Sequence, residues 1–168
     1  MIEHIPNLVS PLNSIQVAHL KKEYALQWDY VFNPDNCRLQ CPVDIENAMA
    51  QQIWTSLHKR GFTRGRLCGG VVIMKSLAGC KQQQWHCDYD PSIRYTRHKP
   101  LGVLVAFENN TRFVTPTKTF YLCSGDAIVF DADVVHAGAA YDQENIRMHM
   151  YLDTATHQHA ENKTYLLV

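Results

Sequence analysis

The chain has 168 residues, 46% hydrophobic and 19% charged, which suits one globular domain with a real core and excludes a disordered chain. Sixteen Lys and Arg offset sixteen Asp and Glu, so no overall field draws the protein to a nucleic acid or an anionic membrane. No apolar run approaches the roughly 18 residues of a membrane-spanning helix, and the opening MIEHIPNLVSP lacks the basic start and apolar core of a signal peptide, so a cytoplasmic location is expected.

Taken in order, the first third reads as helical. Asn13 or Ser14 can cap a helix through IQVAHLKKEYALQWDYV, because a side-chain oxygen there accepts an orphaned backbone N–H. Asp44 can cap a second helix, in which Ile45, Met49, Ile53 and Leu57 recur along one stripe before Gly61 ends it. Between them, Cys37 and Cys41 in NPDNCRLQCPVD are the nearest conventional cysteine pair, and no CxxC accompanies them. Cys68, Cys80, Cys87 and Cys123 lie in apolar or strand-like stretches and read as small hydrophobic thiols. A zinc or disulfide role at Cys37 and Cys41 is the alternative.

From Leu67 onward the texture changes. VVIMKSL, QQQWHCDYD, LGVLVAF, TRFVTP, KTFYLC, DAIVFD, VVHAG and IRMHMYLD are short, β-prone and separated by Gly, Pro, Asn and Asp. About eight strands with no helix between them suit a sandwich or jelly roll rather than a βαβ array. The expected architecture is mainly β with N-terminal helices, a single domain over 1–168. Residues 1–62 form a helical region packed on the sheet, and residues 66–168 form the β core.

Two of these strands divide their chemistry by face. In Ile146 to Leu152 the apolar side chains occupy one parity and Arg147, His149 and Tyr151 the other. The apolar face would lie under the helices and the polar face would line a cleft. The earlier strand alternates similarly, with Gln82, Gln84, His86 and Asp88 on one face and Trp85, Cys87 and Tyr89 on the other. His86 and Asp88 can therefore reach one metal ion while Cys87 points away. His136 follows fifty residues after His86, and Arg147 eleven after that. Two imidazoles and one carboxylate are the ligand set that holds non-heme Fe(II) with coordination positions left open.

Together, His86-Cys87-Asp88 after GCKQQQW, His136 in GDAIVFDADVVHAG and Arg147 in NIRMHMYLD resemble the Fe(II)/2-oxoglutarate dioxygenases, most closely their short, compact members. The likeness covers roughly residues 71–153, while the first 60 match only in being helical. It implies a double-stranded β-helix (a cupin-like jelly roll) with His86, Asp88 and His136 as iron ligands. Arg147 would bind the distal carboxylate of 2-oxoglutarate, with Tyr151, or a hydroxyl such as Tyr121, adding a hydrogen bond. The implied reaction uses O2 and hydroxylates or oxidatively demethylates an unidentified substrate, with release of succinate and CO2. No catalytic side chain beyond the metal ligands is implied. Two other classes fit the same residues: a jelly-roll binding module without turnover, and a cupin-type metal dioxygenase that does not use 2-oxoglutarate.

His149 is expected to line the pocket or support a ligand, and His157 and His159, in THQHAENK, to be solvated. The proline-bracketed stretch 89–100 starts beside the ligands and carries Arg94, Arg97 and Lys99. A small molecule or a protein side chain is the favoured substrate, with a nucleic acid reachable through those three cations and no membrane partner. There is no GxSxG and no phosphate-binding GxxxxGK[ST].

Overall fold

Asn13 closes the first turn of helix α1 (Ser14–Glu23) in a computed structural model that describes residues 1–23, 29–30, 37–95, 98–160 and 164–166. The Asn13 side chain accepts from the Gln16 N–H at 3.0 Å and the Gln16 side chain accepts from the Asn13 N–H at 2.9 Å, a reciprocal capping box. The helix expected to run on as far as Val31 is contradicted at its far end. Residues 24–28 lie outside the described ones, and Asp29–Tyr30 form strand β2.

Helix α2 (Ala48–Lys59) begins three residues later than the apolar stripe suggests, because Asn47, not Asp44, is its cap and accepts from the Met49 N–H at 3.0 Å. Asp44 instead closes the preceding turn, its carboxylate accepting from the Glu46 N–H at 2.9 Å. At the other end Gly61 adopts φ +84°. The Gly61 and Phe62 N–H groups reach back to His58 and Leu57 carbonyls at 2.9 and 3.1 Å, a Schellman stop.

All eight strands expected after residue 66 form. They are β4 (Leu67–Ser76), β5 (His86–Cys87), β6 (Leu101–Ala106), β7 (Thr111–Val114), β8 (Thr119–Leu122), β9 (Ala127–Asp131), β10 (Ala137–Gly138) and β11 (Asn145–Asp153). The front third adds β1 (Ile2–Ile5) and β3 (Arg38–Pro42) besides β2, and the far end adds β12 (Tyr165–Leu166). The first 62 residues are thus not a purely helical region; they extend the large sheet at both edges.

That sheet has the order β1-β9-β6-β11-β4-β3-β2, every pair antiparallel. Opposite it stand β10-β7-β8 and β12-β5, joined by a bridge between His86 and His136. Two opposed antiparallel sheets in this chain order make the jelly roll expected of the sequence.

The outer face of the large sheet holds the main core. Ile146, Met148, Met150 and Leu152 of β11 pack with Val103, Val105, Val71 and Ile73 against Val17 and Leu20 of α1 and Ala50, Ile53 and Leu57 of α2. Each such aliphatic side chain contributes roughly 1.5–3 kcal/mol on burial. A second apolar cluster, Leu104, Ala106, Phe113, Leu122, Ile128 and Phe130, fills one part of the interior between the sheets. The remainder of that interior is polar. Among the described residues no helix is long and apolar enough to cross a membrane.

Candidate metal centre and adjoining cavity

The site starts from two very short strands. His86 and His136 exchange both backbone hydrogen bonds at 2.9 Å, which sets their side chains side by side, with ring centroids 4.5 Å apart. Each ring is oriented by the carbonyl two residues before it. The His86 Nδ1 lies 2.8 Å from the Gln84 carbonyl and the His136 Nδ1 3.0 Å from that of Val134. A carbonyl only accepts, so both Nδ1 atoms carry the proton and both Nε2 lone pairs are left available.

Asp88 completes the group, with Oδ1 3.5 Å from the His136 Nε2. One potential ligand atom from each of His86, Asp88 and His136 lies within 4.8 Å of the others, and all three residues are buried. Burial alone would raise the Asp88 carboxyl, but His136 and His149 beside it hold it well below the usual carboxylate range. Burial depresses His86, whereas Asp88 overcomes burial at His136 and raises it. An anionic oxygen and two imidazole nitrogens enclosed together suit a divalent first-row metal. The donor set fits such an ion.

Cys87 faces the other way, as strand alternation predicts. Its Sγ donates to the Asp133 carbonyl at 3.5 Å, and burial pushes the thiol up to about 11. The six cysteines form no disulfide.

Arg147, His149 and Tyr151 project from β11 into the same cavity, which has a volume of about 570 Å³. Arg147 is only 3% exposed, yet no described carboxylate lies within ion-pair distance of it. Its Nη1 donates to the Ser76 hydroxyl at 3.0 Å, and its Cζ lies 5.5 Å from the centre of the Tyr141 ring. Leaving a buried guanidinium without an anion beside it costs several kcal/mol. His149, buried between Phe130 and Tyr151, is depressed by that burial to about 4.

The two expected hydroxyl partners of Arg147 are not found beside it. Tyr121 is 66% exposed and does not line the cavity, because it occupies the solvent-facing parity of β8. Tyr151 does line the cavity, but it lies four positions along the strand from Arg147, about 13 Å along the backbone. It stacks instead on His159, with centroids 3.6 Å apart. The hydroxyl on Arg147 belongs to Ser76, which the sequence reading missed.

Also missed was Arg38, 1% exposed, which shares Ser76 through Nη1 at 2.9 Å. Its Nη2 donates to the carbonyls of Lys81, Gly138 and Ala139 at 2.7, 3.1 and 2.6 Å, tying β3 to the segments that carry both histidines. A side chain on Gly138 would collide with Gln83 and Arg38, its Cβ falling 2.3 Å from the Gln83 Oε1. The alternation Arg38, Gln40 in RLQCP was the available signal, since Gln40, on the same parity, lines the cavity.

His159 corrects a further expectation. It is a wall of the cavity rather than a solvated residue, its N–H held by Asp153 at 3.0 Å. His157 packs edge-on against Tyr95 at 5.0 Å. Lys99 pairs with Asp133 at 2.9 Å and Asp131 at 3.8 Å, Arg94 is exposed, and Arg97 lies outside the described residues.

No protein-family model and no curated protein matches the sequence. Solved structures do match the fold. The epimerase SnoN, in complex with Fe3+, alpha ketoglutarate and nogalamycin RO, superposes with a TM-score of 0.66 at 12% identity, over 96% of this chain and 82% of that one. HygX from Streptomyces hygroscopicus, with nickel, 2-oxoglutarate and hygromycin B bound, gives 0.66 at 11% identity, over 94% and 84%. The collagen prolyl hydroxylase vCPH of Paramecium Bursaria Chlorella virus-1, as its 2OG complex, gives 0.66 at 14% identity, over 92% and 96%. The chain therefore has the jelly-roll fold of the iron- and 2-oxoglutarate-dependent oxygenases.

Proposed function

We propose that the protein is an Fe(II)- and 2-oxoglutarate-dependent oxygenase that hydroxylates or oxidatively demethylates its substrate, releasing succinate and CO2. The observation that carries this reading is a coincidence within one cavity. A three-ligand metal group and a buried arginine without a carboxylate partner share the same walls. The arginine separates this reading from a cupin-type metal enzyme without the keto acid, which has no need of a buried cation at that depth.

When bound, iron and 2-oxoglutarate supply O2-driven oxidative decarboxylation of the keto acid, coupled to oxidation of the substrate. The chain's own residues bind, orient and exclude. His86 and His136 present Nε2 because their Nδ1–H groups are engaged, and Asp88 supplies the negative charge. Arg147, braced by Ser76, receives the far carboxylate with a planar fork that grips two oxygens. Phe113, Phe130 and Leu104 line the same space and keep bulk water from the reacting atoms.

The substrate is a small molecule or a protein side chain. A cavity of about 570 Å³ is of the size that holds small ligands. Arg94 and Lys99, the described cations of the 89–100 stretch, do not line it. SnoN, HygX and vCPH span an epimerase, a nickel and hygromycin B complex and a prolyl hydroxylase, so the outcome on the substrate is set by the rim rather than the roll.

The test is succinate release in the absence of added substrate. Wild type should produce succinate only when Fe(II) and 2-oxoglutarate are both present, and His136→Ala should produce none. Succinate formation without Fe(II), or equal rates in the variant, would overturn the proposal.

A further inference from the structure

His149 stands beside the metal group without belonging to it. Its Nε2 lies 3.4 Å from the Asp88 Oδ2, while the other carboxylate oxygen, Oδ1, lies 3.5 Å from the His136 Nε2. The Asp88 Oδ2 and the His149 Nε2 are both buried, and neither has a hydrogen-bond partner among the described residues. His149 also falls outside the set of ligand atoms that lie within 4.8 Å of one another. The ring has little freedom to turn elsewhere: Tyr151 packs on it at 4.5 Å and Phe130 at 5.9 Å between centroids.

Resting on the metal-site reading above, we propose that His149 is a positioning residue whose Nε2–H holds the outer oxygen of Asp88, so that Asp88 meets a metal ion through Oδ1 alone. A carboxylate free at both oxygens can swing or chelate with both. Pinning one oxygen fixes the other and leaves coordination positions open for a bidentate co-substrate. Buried donors and acceptors at this depth are stabilised by meeting one another and costly when left bare. The arrangement also explains why β11 carries an imidazole between Arg147 and Tyr151, where an apolar side chain would fill the same space.

Two variants and one spectrum test this. His149→Phe keeps a ring in the Phe130–Tyr151 stack and loses the N–H, whereas His149→Gln keeps an N–H of similar reach. Co(II) is titrated anaerobically without 2-oxoglutarate, following its visible absorption. Co(II) affinity should fall about 10- to 100-fold in the Phe variant, with an altered absorption band, and stay close to wild type in the Gln variant. In Zn(II)-loaded wild type, nitrogen–proton correlation spectra should show His149 as the Nε2–H tautomer. An unchanged affinity and spectrum in His149→Phe, or the Nδ1–H tautomer in wild type, would overturn the inference while leaving the metal site standing. Failure of wild type itself to bind Co(II) would overturn the metal-site reading and this inference with it. The tautomer measurement needs no substitution and so decides even if the Phe variant does not fold.

Discussion

From Ile146 to Met150 both faces of strand β11 are buried, and they behave as opposite materials. On the outer face Ile146, Met148, Met150 and Leu152 are interchangeable members of a dense apolar layer beneath α1 and α2. On the inner face Arg147 and His149 are equally enclosed, yet each depends on one or two specific partners, Ser76 for the first and the Asp88 carboxylate for the second. Area removed from water holds the first face together, and geometry holds the second. Because the outer layer stabilises the strand, the inner face can carry a buried cation with no described carboxylate paired to it. Stability and function should therefore separate by parity along one strand.

Substitutions on alternate residues of β11 should expose that separation. The largest effect on folding belongs to the outer face: Met148→Ala should cost about 2–5 kcal/mol in urea unfolding, while the folded fraction still binds metal. A Met148→Ala protein that is as stable as wild type would mean the helical layer is not the main source of stability.

The next effect belongs to the inner face. Arg147→Met keeps much of the stem and loses the charge, and Arg147→Lys keeps the charge and loses the fork. Removing the charge-assisted hydrogen bonds should cost roughly 1.5–3 kcal/mol, about a ten- to hundredfold loss of 2-oxoglutarate affinity, with Lys falling between wild type and Met. Metal binding should survive in both. Calorimetric titration checks it, and a wild-type affinity in Arg147→Met would assign the carboxylate to another group.

The smallest effect lies away from both faces, at Asp126. This carboxylate accepts from the N–H groups of Asn7 and Cys123, each at 3.0 Å, and lies 3.2 Å from the His4 ring. Burial would raise its pKa, but these partners bring it below the usual value. A depressed folded-state pKa stabilises the protein above the unfolded value of about 3.9, and that contribution is lost as the pH falls through the folded value. Asp126→Asn should be less stable than wild type at pH 7, by on the order of 1 kcal/mol. The gap should narrow progressively as the pH is lowered below about 3.9, followed by urea unfolding across that range.

The comparison also explains which features were legible in the sequence. Alternation in Ile146 to Leu152 revealed both faces of β11, because period 2 survives when one face is uniformly apolar. The eight strands after residue 66 were legible as β-prone runs bounded by Gly, Pro, Asn and Asp, and the set His86, Asp88, His136 and Arg147 through residue types that are costly to bury by accident. β1 was not legible, since this edge strand buries only Ile5, and β3 was not, since it places a charged residue, Arg38, at a fully buried position. Nothing in a linear pattern says that three backbone carbonyls from distant segments converge on one guanidinium. Ser76 escaped notice because its hydroxyl matters only once Arg38 and Arg147 arrive from strands on either side of β4. His159 sits in a polar stretch and becomes a cavity wall only by stacking on Tyr151.

Metal content of the histidine variants tests the central claim most directly. His86→Ala and His136→Ala, reconstituted anaerobically with Fe(II) and analysed by elemental analysis, should lose stoichiometric iron while keeping wild-type circular dichroism, since a site with three protein ligands tolerates the loss of one poorly. Wild-type iron occupancy in both variants would contradict the assignment of His86, Asp88 and His136 as the metal centre.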